Sequence, residues 1–82
     1  MKIFVGNLDR ETSEKDINIL FSRHGKVNNV KIIRNLFSQT SLGYGFVEMP
    51  WIPEAKKALD GLNTFEFKGK KLVVNEAASL PG

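Results

Sequence analysis

Residues 43–49, Gly-Tyr-Gly-Phe-Val-Glu-Met, alternate between two kinds of side chain until Pro50 removes a ladder donor. A pleated strand turns successive side chains to opposite faces, so Tyr44, Phe46 and Glu48 share one side and Gly45, Val47 and Met49 the other. Such a strand belongs to a sheet with one aliphatic, packed face and one aromatic face. Three further runs carry the same alternation. Ile3-Phe4-Val5 fills a strand over residues 2–6 that closes on Gly6-Asn7. Residues 27–34 put Val30 and Ile32 on one face and Lys31 and Ile33 on the other, and Leu72-Val73-Val74-Asn75 makes a fourth strand.

Two helical periods separate these strands. Ser13 and Asp16 have capping-box spacing, and Ile17, Leu20, Phe21 and His24 follow on one face up to Gly25, which predicts a helix over about residues 13–24. Pro53 suits a first helical position ahead of Ala55, Ala58, Leu59 and Leu62. Phe65, Phe67 and Gly69 read as a minor hairpin before the last strand. The order strand, helix, strand, strand, helix, strand is the ferredoxin-like β-α-β-β-α-β arrangement, an α+β fold whose four-stranded antiparallel sheet carries both helices on one face. At 82 residues without cysteine, one domain is expected, over residues 1–78 with a flexible tail at 79–82. No apolar run approaches the roughly 18 to 20 residues of a membrane span. The short apolar start, Ile3-Phe4-Val5, is too brief for a secretory segment, so a cytoplasmic location is the default.

Aliphatic residues then account for the packed face: Ile3, Val5, Val30, Ile32, Val47, Met49, Leu72 and Val74. Their alternates, Phe4, Gly6, Lys31, Ile33, Tyr44, Phe46, Glu48, Val73 and Asn75, line the bare face. Three aromatics on an uncovered sheet imply that something binds there. Charge permits a polyanion. Although the net charge is only +3, residues 17–47 contain no acid while Arg23, Lys26, Lys31 and Arg34 fall within them, and Lys68, Lys70 and Lys71 follow later.

Ile3-Phe4-Val5-Gly6-Asn7-Leu8 resembles the first-strand hexamer of the RNA recognition motif family, and Leu42-Gly43-Tyr44-Gly45-Phe46-Val47-Glu48-Met49 resembles its third-strand octet. The resemblance covers nearly the whole chain. It implies a module that binds single-stranded RNA, with single-stranded DNA a related ligand, through bases stacked on Phe4, Tyr44 and Phe46. Lys31, Lys71, Asn7 and Asn75 complete the expected RNA-binding set, Lys71 being placed on the open face by strand parity. Two octet positions depart from the family: Leu42 stands where Lys or Arg meets a phosphate, and Met49 replaces an aromatic at a site that points into the core.

No catalysis, cofactor or metal is expected. His24 is the sole histidine, and its place on an apolar helical face before Gly25 suits a half-buried core residue. No acid or nucleophile is tied to it by spacing. Gly43 and Gly45 lie within a strand, which excludes a phosphate-cradling loop. Small acyl phosphatases and metal chaperones share the fold plan, but the chaperones' cysteine pair and an anion-cradling arginine loop are missing. Leu36, Phe37, Trp51 and Ile52 lack a place in the core pattern. They support an alternative, a protein-protein interaction domain on the same fold with an apolar contact built from these four residues, or a weak partner held by Trp51 and Ile52.

Overall fold

The computed structural model describes residues 1–77, so the tail expected at 79–82 lies outside the described residues. The chain forms β1 (Lys2–Gly6), α1 (Glu14–Ser22), β2 (Asn29–Arg34), β3 (Ser41–Glu48) and α2 (Ile52–Leu62). A two-stranded ribbon of β4 (Glu66–Phe67) and β5 (Lys70–Lys71) precedes β6 (Val73–Glu76). The main sheet is antiparallel with strand order β2-β3-β1-β6, which makes β3 and β1 central. This is the expected ferredoxin-like plan.

One face of the sheet closes the core. Ile3, Val5, Ile32, Val47, Met49, Leu72 and Val74 are buried together with Ile17, Leu20 and Phe21 of α1 and Ala55, Ala58 and Leu62 of α2, while Val30 packs at the margin. The alternation read from the sequence therefore places the helices correctly. Several boundaries differ. The first helix stops at Ser22 because Arg23 caps it and the His24 N–H turns back to the Phe21 carbonyl. The second begins one residue earlier than Pro53: Trp51 is its N-cap, and the Ala55 N–H donates to the Trp51 carbonyl at 3.0 Å. Leu72 leaves the last strand to link it to the ribbon, exchanging backbone hydrogen bonds with Thr64 and Phe65.

The start of α1 is tied down by a reciprocal cap. Ser13 Oγ accepts from the Asp16 N–H at 3.2 Å, and Asp16 Oδ2 accepts from the Ser13 N–H at 3.0 Å. Lys68 in the ribbon turn donates to the same Asp16 oxygen at 2.9 Å, so the cap also fastens the ribbon to the helix. Arg34 at the end of β2 pairs with Glu14 at 3.0 Å. The Lys68 ammonium, helped by the Ser13 N–H, lowers the Asp16 carboxyl from an ordinary 3.8 to about 2.

Between β2 and β3 the register shifts after Ile32, and Gly43 takes a positive φ of 86° there. Gly45 solves a different problem. A Cβ at this position would lie 2.3 Å from the Lys31 carbonyl oxygen and 2.9 Å from the Ile32 Cα, both backbone atoms of the neighbouring strand. Only glycine lets β3 pair closely with β2 here.

Gly45→Ala should therefore destabilise the domain by about 1 to 3 kcal/mol or more in chemical denaturation, because the clash is with backbone that no rotamer change can relieve. An acid titration of stability tests the cap. The folded carboxyl of Asp16 titrates below its unfolded value, so its contribution is present above about pH 4 and fades as pH falls toward about 2. Over that window the wild type should lose more of its denaturation midpoint than Asp16→Asn does.

Candidate nucleic-acid interface

The pairing registers lay out the open face as rows across the sheet. In the middle row Lys31 faces Phe46, Phe46 faces Phe4, and Phe4 faces Asn75, on β2, β3, β1 and β6 respectively. Toward one end Tyr44 faces Gly6, which faces Val73; toward the other Asn29 faces Glu48, which faces Lys2. The face is thus apolar at one end, aromatic in the middle and charged at the other.

The three rings touch as a cluster. Phe4 stacks on Tyr44 with centroids 5.9 Å apart and planes inclined by 28°, while Phe46 meets Phe4 edgewise at 6.0 Å and Tyr44 at 6.3 Å. All three are partly exposed. The Phe4 ring lies across Gly6, where a Cβ would come within 2.7 Å of its Cε2. Glycine at this position sets how flat the Phe4 ring rests on the sheet.

Positive charge flanks the cluster at Phe46. Lys31 is exposed beside Phe46, and Lys2 extends its Nζ over the Phe46 ring, 4.8 Å from the centroid. Sequence reading passed over Lys2, although it shares the parity of Phe4 two residues on. Together with Asn29, Phe46, Val47 and Glu48, the two lysines line a cavity of about 130 Å³.

The remaining sequence candidates are distributed differently. Asn75 is exposed on β6 opposite Phe4. Asn7 sits just past β1 with φ 58°, and its side-chain amide donates to the Lys71 carbonyl at 2.8 Å. Asn7 thus bridges the first strand to the ribbon through Lys71. Lys71 belongs to β5 rather than to the main sheet, so the parity argument that put its side chain on the open face does not apply to it. Ile33 lies in the irregular stretch of β2 and is partly exposed. Leu42 is 53% exposed at the start of β3.

The four unexplained apolar residues do not form one contact. Leu36 and Phe37, 86% and 96% exposed, sit on the β2–β3 turn, which Asn35 Oδ1 organises by accepting from the Phe37 and Ser38 N–H groups. Trp51 and Ile52 stand at the start of α2, past the other end of β3. The length of β3, seven steps of about 3.3 Å each, lies between the two pairs. His24 is half-buried with its ring toward α2, where a Cβ on Gly61 would come 2.8 Å from Cε1. Its partial burial is what the sequence implied; its contact with α2 is added by the structure.

Comparisons with known proteins agree with this geometry. The family model described as RNA recognition motif matches residues 3–73. The RNA-binding protein CP31B, chloroplastic, of Arabidopsis thaliana is 40% identical over 77 residues, covering 94% of this chain and 27% of that protein. The chain therefore spans about a quarter of the length of this relative. Among solved structures, RNA Binding Protein PG1 superposes with a TM-score of 0.94 at 38% identity, covering 100% of this chain and 99% of that one. The Sxl-lethal protein/RNA complex superposes at 0.91 with 27% identity, over 99% of this chain and 47% of that one. The octet and hexamer that carry the resemblance lie on β3 and β1, side by side at the centre of the open sheet, and the chain belongs to the RNA recognition motif family.

Proposed function

We propose that this chain binds single-stranded RNA on the open face of its sheet and carries out no chemical step. The observation that carries this reading is the contiguous cluster of Phe4, Tyr44 and Phe46 on a sheet face that, among the described residues, no helix covers, with Lys2 and Lys31 beside it. Base faces stack on such rings whatever the sequence, and ammonium groups at the margin meet the phosphates. A duplex buries its bases, so unpaired strands are the ligand. Single-stranded DNA offers the same stacking faces and belongs to the proposal as a second ligand.

Asn75 extends the aromatic row at the β6 edge and is placed in the contact set with Lys31. Asn7 and Lys71 enter as a linked pair: the amide of Asn7 holds the Lys71 backbone, which fixes where the Lys71 ammonium starts from. A cytoplasmic location is part of the proposal; it is supported by the polyadenylate-binding protein, cytoplasmic and nuclear, of Eremothecium gossypii, 40% identical over 76 residues, whereas the Arabidopsis relative is named chloroplastic.

A second reading is a weak protein contact at Trp51 and Ile52. It is favoured by their exposures of 63% and 44% at the head of α2, where the Trp51 side chain makes no capping hydrogen bond. It leaves the open sheet face free and is compatible with RNA binding.

Phe4→Ala, Tyr44→Ala and Phe46→Ala should each weaken binding of a single-stranded oligoribonucleotide by about 1 to 3 kcal/mol, with the denaturation midpoint changed far less. Affinities that ignore all three substitutions would remove the stacking face from the function. Leu42→Arg restores a cation at the head of β3. It should steepen the dependence of log K on log salt by about 0.7 and tighten binding most at low ionic strength. A parallel salt line would mean that the strand does not run past Leu42.

A further inference from the structure

The charged row at one end of the open face contains an unpaired acid in a setting otherwise built for an anion. Glu48 projects from β3 two residues after Phe46, on the same face, and is exposed between Lys2 on β1 and Asn29 on β2. Among the described residues the ion pairs are those of Arg34 with Glu14 and Lys68 with Asp16, and Glu48 takes part in neither. Lys2, its register partner, reaches over the Phe46 ring instead. A carboxylate here works against the phosphates that the surrounding lysines attract, so its acceptor oxygens fit a different part of the ligand.

That part is the edge of a base. A carboxylate offers two acceptor oxygens and no donor, and pairs best with two adjacent N–H groups. Guanine presents such a pair in N1–H and the 2-amino group, with the O6 acceptor next to them for an ammonium. Adenine and cytosine place a ring-nitrogen lone pair beside their amino group, and uracil flanks its single N–H with two carbonyl oxygens, so each sets an acceptor against the carboxylate. The cavity formed by Lys2, Asn29, Lys31, Phe46, Val47 and Glu48 holds both elements of the guanine pattern, acceptor and cation, next to a ring.

Resting on the RNA-binding reading above, we infer that Glu48 and Lys2 form a base-reading niche selective for guanine stacked at Phe46. Glu48 accepts from N1–H and the 2-amino group, and Lys2, displaced from the ring by the base, donates to O6. Lys31 is left for a phosphate.

The test measures binding of the heptaribonucleotide UUUGUUU against the same strand with A, C, U or inosine at the centre, for the wild type, Glu48→Gln and Phe46→Ala. Wild type should prefer the guanine strand to the A, C and U strands by about fivefold or more, the low end of what one bidentate contact discriminates. Inosine, which lacks the 2-amino group, should lose most of that preference without any change to the protein. Glu48→Gln presents one acceptor and one donor and removes a charge that opposes the phosphates, so it should bring the four standard strands within about twofold of one another and tighten the all-uracil strand. A wild type that binds all strands alike, or a guanine preference that survives Glu48→Gln or the inosine strand, overturns the inference and leaves RNA binding standing, provided Phe46→Ala still weakens every strand. If no strand binds at all, the RNA-binding reading itself fails and this niche fails with it.

Discussion

The antiparallel register between β1 and β3 determines everything on the open face. It sets Phe4 against Phe46 and Gly6 against Tyr44, and so brings three rings from two distant segments into one cluster. A slip of one residue would turn Ile3, Val5 and Val47 out to solvent and bury the aromatics under the helices. The core enforces the pairing: those aliphatic residues are fully buried, and their loss from the packed side would cost far more than any contact on the open side returns. The binding surface is therefore the reverse side of a packing decision.

Around this pairing the edges are fastened by polar contacts specific to their positions. The cap at Ser13 and Asp16 begins α1, and Lys68 joins it to the ribbon that leads into β6. Asn7 joins the same ribbon from the other side by holding the Lys71 carbonyl. The route from β5 to β6, which delivers Val73 and Asn75 to the sheet, is anchored at two points. These anchors are exposed and individually weak, but they act where backbone pairing alone leaves a short strand at the edge.

Much of this was legible in the sequence, and what was not has a common cause. Period-two alternation identified the packed and open faces of the main strands, and the Ser13–Asp16 spacing marked the helix start, because both are local patterns. Which strand lies beside which residue is not local. Lys2 was missed because its place in the charged row depends on a partner 46 residues away, and strand parity does not place Lys71 because a two-residue ribbon interrupts it. The grouping of Leu36 and Phe37 with Trp51 and Ile52 failed for a similar reason: shared hydrophobicity does not say that β3 stands between them. The sequence shows Gly45 only as one residue on the Val47 and Met49 side of the strand, whereas its neighbours across the strand boundary make it a requirement of pairing.

That last residue also sets limits on how such a surface can diversify. The atoms a side chain at position 45 would strike belong to the Lys31 and Ile32 backbone, so no substitution at those positions makes room and no compensating second change is available. Positions 2, 29, 31 and 48, by contrast, project from the sheet into solvent and can vary one at a time. In a combinatorial library the glycine behaves as a fixed hub and the charged row as free variables, so new ligand preferences are reached by rewriting the row while the hub stays constant.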